Sequence, residues 1–126
     1  MAAVVFEDSY IYGFGGYEGS GRIDSIEQYD VQNDIWTVLM VKFPLSVEAC
    51  SATLISNNEV VILGGHDNSA GTKDAMILNL ESLQFVKLSA MPFARFLHCA
   101  QYYNNHIYVF GGVDNCSCQK MNIQDF

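Results

Sequence analysis

The sequence predicts an all-β chain assembled from repeated four-stranded antiparallel sheets. Three observations predict it. Short aromatic and β-branched runs are broken by Gly and Asn along the whole chain. A Gly-Gly pair recurs at Gly15-Gly16, Gly64-Gly65 and Gly111-Gly112, with spacings of 49 and 47 residues. A second set of landmarks, Tyr29/Trp36 and Leu78/Phe85, repeats in the same register, 49 residues apart.

The elements follow in chain order. Each diglycine ends an apolar strand, at residues 10–14, 60–63 and 107–110. Seven residues before each first glycine stands Asp8, Asn57 or Asn104, followed by Ser9, Asn58 or Asn105. Asn and Asp tolerate positive φ, so these pairs are expected as two-residue hairpin turns. Another apolar run precedes each turn, at 3–6, 52–55 and 99–103. Each diglycine therefore closes the second strand of a hairpin.

Thirteen residues beyond the second glycine come Tyr29 and Leu78, and seven further come Trp36 and Phe85. Asp30, Gln32, Asn33 and Asp34 lie inside the first pair, and Asn79, Glu81 and Ser82 inside the second. These polar turns make a second hairpin. Pro44 and Pro92, 48 apart, end each unit. Four strands at a period near 50 are the sequence mark of a propeller blade. The expected units are 1–46, 47–94 and 95–126. Tyr29 and Trp36 are expected to fill the space between blades, because large aromatics bury much apolar area.

Composition narrows the function classes. Half of the 126 residues are hydrophobic and 16% are charged, which argues against disorder. The formal charge is −8 and the six basic residues are scattered, so no nucleic-acid or anionic-membrane partner is expected. No apolar run is long enough for a transmembrane helix. The N-terminus lacks a basic region ahead of Glu7 and Asp8 and does not read as a signal peptide. Four cysteines without a secretion signal are expected as reduced thiols, in a cytoplasmic protein.

These residues resemble kelch repeats. That pattern runs Arg, a nearby His, a hairpin into Gly-Gly, a variable loop, Tyr-Asp, a Trp, then Met-Pro. The first unit shows Gly15-Gly16, Tyr29-Asp30, Trp36 and Pro44. The second shows Gly64-Gly65, Leu78, Phe85 and Met91-Pro92, and the third Arg95, His98, Tyr108 and Gly111-Gly112. The second unit departs by placing Val47 or Glu48 where Arg is expected. The resemblance implies an incomplete kelch-type β-propeller of about two and a half repeats, with Arg95 and His98 in structural roles. Because propellers close with about 4–8 blades, the chain is expected to be a fragment or one part of an assembly.

Function is expected in the loops between second and third strands, at 17–24, 66–74 and 113–120. They vary while the framework repeats, and varied loops on a fixed scaffold are where binding concentrates. The candidate partner-binding residues are Tyr17, Glu18 and Arg22 in the first loop. His66, Asp67, Asn68 and Lys73 stand in the second, and Asp114 and Asn115 in the third. No catalytic, cofactor or metal set is expected. Cys116 and Cys118 lack a second ligand pair, and the loop acids have no spacing that suggests paired catalytic carboxylates. The expected activity is protein–protein interaction, as a substrate-recognition or cytoskeletal adaptor. The alternatives are a piece of a propeller enzyme (a copper-radical oxidase or a sugar mutarotase) and a self-associating structural unit.

Overall fold

The structure is a computed structural model and describes residues 1–114 and 116–125. The candidate Asn115 lies outside the described residues. The chain is all-β, with three antiparallel sheets. The first runs β1 (Ala2–Phe6), β2 (Tyr10–Glu18), β3 (Gly21–Asp30) and β4 (Ile35–Val38), in that order. The second repeats the order with β5 (Ser51–Leu54), β6 (Glu59–Leu63), β7 (Ala75–Asn79) and β8 (Phe85–Lys87). The third holds β9 (Cys99–Tyr103), β10 (His106–Phe110) and β11 (Gln119–Asn122), followed by a 3-10 turn at Ile123–Asp125. Three such sheets are fewer than a closed ring needs, so this is an incomplete propeller. Among the described residues no helix is long and apolar enough to cross a membrane.

The turns follow local chemistry. In the third hairpin Tyr103 pairs with His106. Asn104 and Asn105 lie between them at φ 47° and 60°, the conformation of a two-residue hairpin turn. The other two turns differ from expectation. Phe6 pairs with Tyr10, and the positive-φ residues are Glu7 and Asp8 rather than Asp8 and Ser9. At the second, the Ile55 N–H reaches the Glu59 carbonyl across three residues, and neither Asn57 nor Asn58 takes positive φ. The β3–β4 and β7–β8 turns, in contrast, are copies. The Asp30 carboxylate accepts N–H bonds from Gln32 and Asn33, and the Asn79 side-chain carbonyl accepts those of Glu81 and Ser82.

The diglycines join one unit to the next. Gly15 and Gly64 both sit at φ 57°. A Cβ on Gly15 would stand 2.5 Å from the Val47 carbonyl oxygen, and one on Gly64 2.5 Å from that of Arg95. Only glycine allows this approach. The neighbouring amides use it: Gly16 N–H donates to Val47 O and Gly65 N–H to Arg95 O, both at 3.0 Å.

Two cores lie between the sheets. Phe14 and Ile26 meet Val60, Ile62 and Leu78 in the first. Val61, Leu63 and Ala75 meet Ile107 and Val109 in the second, closed by Met91 from the connector. Residues 60–63 on β6 are all buried, because both faces of the middle sheet are covered. Each such side chain contributes about 1.5–3 kcal/mol by leaving water.

Two expectations need correction. Trp36 does not fill an inter-sheet space: it is 61% exposed on β4 and stacks on Tyr29, at 4.8 Å between centroids. Its counterpart Phe85 does pack, because the Phe43 ring of the preceding connector covers it at 5.8 Å. No described segment lies over Trp36 in that way. Residues 17–24 are also mostly strand rather than loop, with Tyr17 paired to Arg22 and Glu18 to Gly21 across a Gly19-Ser20 turn. A bulge between Phe14 and Gly16 lets the ladder resume beyond the diglycine.

Candidate functional site

Strands that run alternately up and down place the β2–β3 and β6–β7 connections at one end of the sheets. The connectors into β5 and β9 arrive at the same end. The candidate loop residues therefore share an end, and several of them converge. Arg22 leaves β3 and reaches the second sheet. Its Nη2 lies 2.5 Å from Glu48 Oε1 and 2.6 Å from His66 Nδ1, and its Nη1 donates to Asn68 Oδ1 at 3.0 Å. Arginine carries donors only, so His66 Nδ1 is the acceptor and the ring proton sits on Nε2. The Arg22 and Glu48 side chains are 13% and 32% exposed, which shields the ion pair from solvent.

Backbone pairing fixes this geometry. Glu48 and His66 exchange both main-chain hydrogen bonds, at 3.1 and 2.9 Å. The His66 ring stands edge-on to Phe96 at 4.7 Å. Asp67 folds its own loop: its carboxylate accepts from the Ser69 and Ala70 N–H groups and the Ser69 hydroxyl. Those bonds hold its pKa at about 2. Lys73 and Asp114 are exposed. Asp114 lies on the Gly71 side of the second loop.

A recess of about 430 Å³ adjoins the cluster, lined by Met1, Tyr17, Glu48, Cys50, Leu97 and His98. Tyr17 and Leu97, 59% and 67% exposed, form its apolar rim. Ala49 and Leu97 hold matching left-handed conformations at φ 55° and 54°, and the Leu97 N–H donates to the Ala49 carbonyl. Successive connectors are thus stacked directly at the inner edge.

Beneath the rim, Arg95 is fully buried, and its Nη1 donates to the carbonyls of Gly111 and Ser117 at 2.9 and 2.8 Å. His98 Nε2 meets the Ser51 hydroxyl at 2.8 Å. Burial, helped by the Arg95 charge, lowers the His98 pKa to about 4. In the preceding unit the corresponding positions are Val47 and Cys50, since Val47 and Arg95 accept the equivalent diglycine bond. That settles the choice between Val47 and Glu48. Burial also pushes the Cys50 thiol up.

Sequence reasoning missed Glu48 and Phe96 as site residues. Both lie on connectors, and nothing local marks a carboxylate that will meet an arginine 26 residues earlier. Among the described residues no three His, Cys, Asp or Glu side chains gather to hold a metal ion.

Comparison with known proteins adds a family. The model of the KLHDC2/KLHL20/DRC7 Kelch-repeats domain matches residues 1–124. The chain is 28% identical to Kelch-like protein 38 of Danio rerio over 111 residues, covering 87% of this chain and 18% of that protein. It is 31% identical to Kelch domain-containing protein 10 of Homo sapiens over 114 residues, covering 84% of this chain and 26% of that protein. The Xenopus laevis protein of that name is 29% identical over 119 residues, with 88% and 29% covered. The chain thus spans less than a third of the length of these curated relatives.

Proposed function

This chain belongs to the kelch-repeat family, and from that premise we propose that the end of the sheets bearing Tyr17, Arg22, His66 and Leu97 is a protein-binding surface. One observation carries the reading. A single guanidinium, Arg22, draws Glu48, His66 and Asn68 from the second sheet to the first, beside a recess with an exposed apolar rim. Exposed apolar side chains bordered by a polar frame are the anatomy of a protein interface. The frame is held by backbone pairing, so little order is lost when a partner lands.

With units drawn at 1–46, 47–94 and 95–126, the surface spans all three. Tyr17, Glu18 and Arg22 come from the first, His66, Asp67, Asn68 and Lys73 from the second, and Asp114 from the third. An adaptor role follows as an extension: a bound partner is carried to whatever accompanies these repeats, a ubiquitin ligase or the cytoskeleton. Four unpaired cysteines support a reducing, cytoplasmic setting.

Affinity capture with paired variants tests the reading. A partner retained by the wild-type chain should be lost on Tyr17→Ala and His66→Ala. It should be kept by Asn57→Ala, which alters a turn at the opposite end. Equal loss or equal retention across the three would count against it.

A further inference from the structure

Tyr17 and Arg22 stand opposite one another on the β2–β3 ladder, so their side chains leave the same face of the first sheet. Arg22 reaches from that face to Glu48, and Tyr17 and Glu48 both line the recess. Arg22 holds one carboxylate oxygen of Glu48, Oε1. The other, Oε2, has no hydrogen-bond partner among the described residues. The Tyr17 ring is exposed, with neither a cation nor another ring against it among the described residues. Glu48 is fixed twice, by its main-chain exchange with His66 and by the Arg22 guanidinium. A free acceptor is thus held still at the wall of a recess that also carries an open aromatic ring.

Most basic groups at this end are already engaged. Arg22 donates to Asn68 and faces Glu48 and His66. Lys42 and Lys87 are paired with Asp24 and Asp74. Arg95 is fully buried and donates to the Gly111 and Ser117 carbonyls. His98 lines the recess but carries no charge at neutral pH, because burial lowers its pKa to about 4. Lys73 is exposed, and against it stand the exposed carboxylates of Glu18 and Asp114 and that of Asp67, which stays ionised down to about pH 2. The recess therefore offers a carboxylate, an aromatic face and an apolar rim, and no unpaired basic side chain lines it.

Those three features are complementary to a cation on an apolar stem. A cation is attracted to an aromatic face, a carboxylate gives it a charge-assisted hydrogen bond, and arginine and lysine lay their methylene stems along apolar surface. At about 430 Å³ the recess has the size of sites that enclose small ligands, so it takes one long side chain. On the reading of this end as a protein-binding surface, we propose that the partner presents an arginine or lysine next to an apolar residue, with the cation between the Tyr17 ring and Glu48 and the apolar neighbour on Leu97. Glu48 Oε2 is the acceptor. Arg22 is a positioning residue: it sets the free oxygen by holding the other one.

Selection of short random peptides, displayed on phage, against the 126-residue chain tests this. The expected binders carry arginine or lysine beside a large apolar residue. Fluorescence anisotropy with one synthetic binder then measures the contact. Replacing its arginine by citrulline, or its lysine by acetyl-lysine, should weaken binding about tenfold, and raised salt should weaken the charged peptide alone. Glu48→Gln should weaken the charged peptide by a similar factor and leave the neutral one unchanged. Glu81→Gln, in a turn at the opposite end, should alter neither. Circular dichroism confirms that each variant remains folded. Binders that depend on Tyr17 and His66 but carry only acidic or uncharged residues would overturn this inference and leave the protein-binding reading standing. So would a difference between charged and neutral peptides that persists in Glu48→Gln. A selection with no binders, or with binders indifferent to Tyr17→Ala and His66→Ala, would overturn the protein-binding reading as well.

Discussion

The carbonyl oxygen of Arg95 accepts the Gly65 N–H at 3.0 Å, and a Cβ on Gly64 would stand 2.5 Å from that same oxygen. Gly64→Ala therefore meets both an obstructing backbone atom and a left-handed φ. It should destabilise the fold by roughly 3 kcal/mol. Nothing lies within 4 Å of the corresponding point on Gly21, so Gly21→Ala should change stability by less than about 0.5 kcal/mol. Urea denaturation of the two variants gives the comparison.

Arg22 and Glu48 couple the first two sheets. A double-mutant cycle with Arg22→Ala and Glu48→Ala should return a coupling of about 1–2 kcal/mol. The value exceeds that of an exposed pair because Arg22 is largely shielded. The Lys42–Asp24 pair, exposed on both sides, should give much less in the same denaturation assay.

His98 predicts a pH dependence. Its folded pKa is about 4, against an ordinary value of 6.5. The unfolded chain takes up a proton below pH 6.5 that the folded chain refuses until about pH 4. The fold should therefore lose stability as pH falls through that window and level off beneath it, by roughly 3 kcal/mol in total. His98→Gln should flatten this part of the stability profile, measured by chemical denaturation at successive pH values.

Phe85 and Trp36 occupy the same place in successive units yet differ in cover. Phe85→Ala should cost about 2–3 kcal/mol, because Phe43 and the first core lose their contact. Trp36→Ala should cost under about 1 kcal/mol, because mainly its stacking on Tyr29 is lost. Thermal or urea unfolding of both variants would reveal an equal cost if this contrast were mistaken.

The scaffold was legible because it is written locally. Diglycines at strand ends, Asx turns and bulky apolar pairs each express a constraint within about ten residues, and the repeat prints each more than once. Sites written across units were not legible. Arg22 meets His66 over 44 residues, and only the packing of one sheet on the next brings them together. The choice between Val47 and Glu48 needed the diglycine hydrogen bond. The exposure of Trp36 needed the neighbouring sheet, since an aromatic at a repeat position reads the same whether or not something covers it. Residues 17–24 read as a loop because the diglycine ends the apolar strand before them, but the bulge after Phe14 carries the ladder past the diglycine.

Strand β6 buries Val60, Val61, Ile62 and Leu63 in succession. Its amides are shut away by a sheet on either side, whereas β1 and β9 each have one side open. Opening of β6 thus requires both flanking sheets to separate, and its peptide hydrogens should exchange with deuterium last in the molecule, near the rate set by global unfolding. Melting then proceeds inward from the outer sheets, and the second repeat is the last to lose its order.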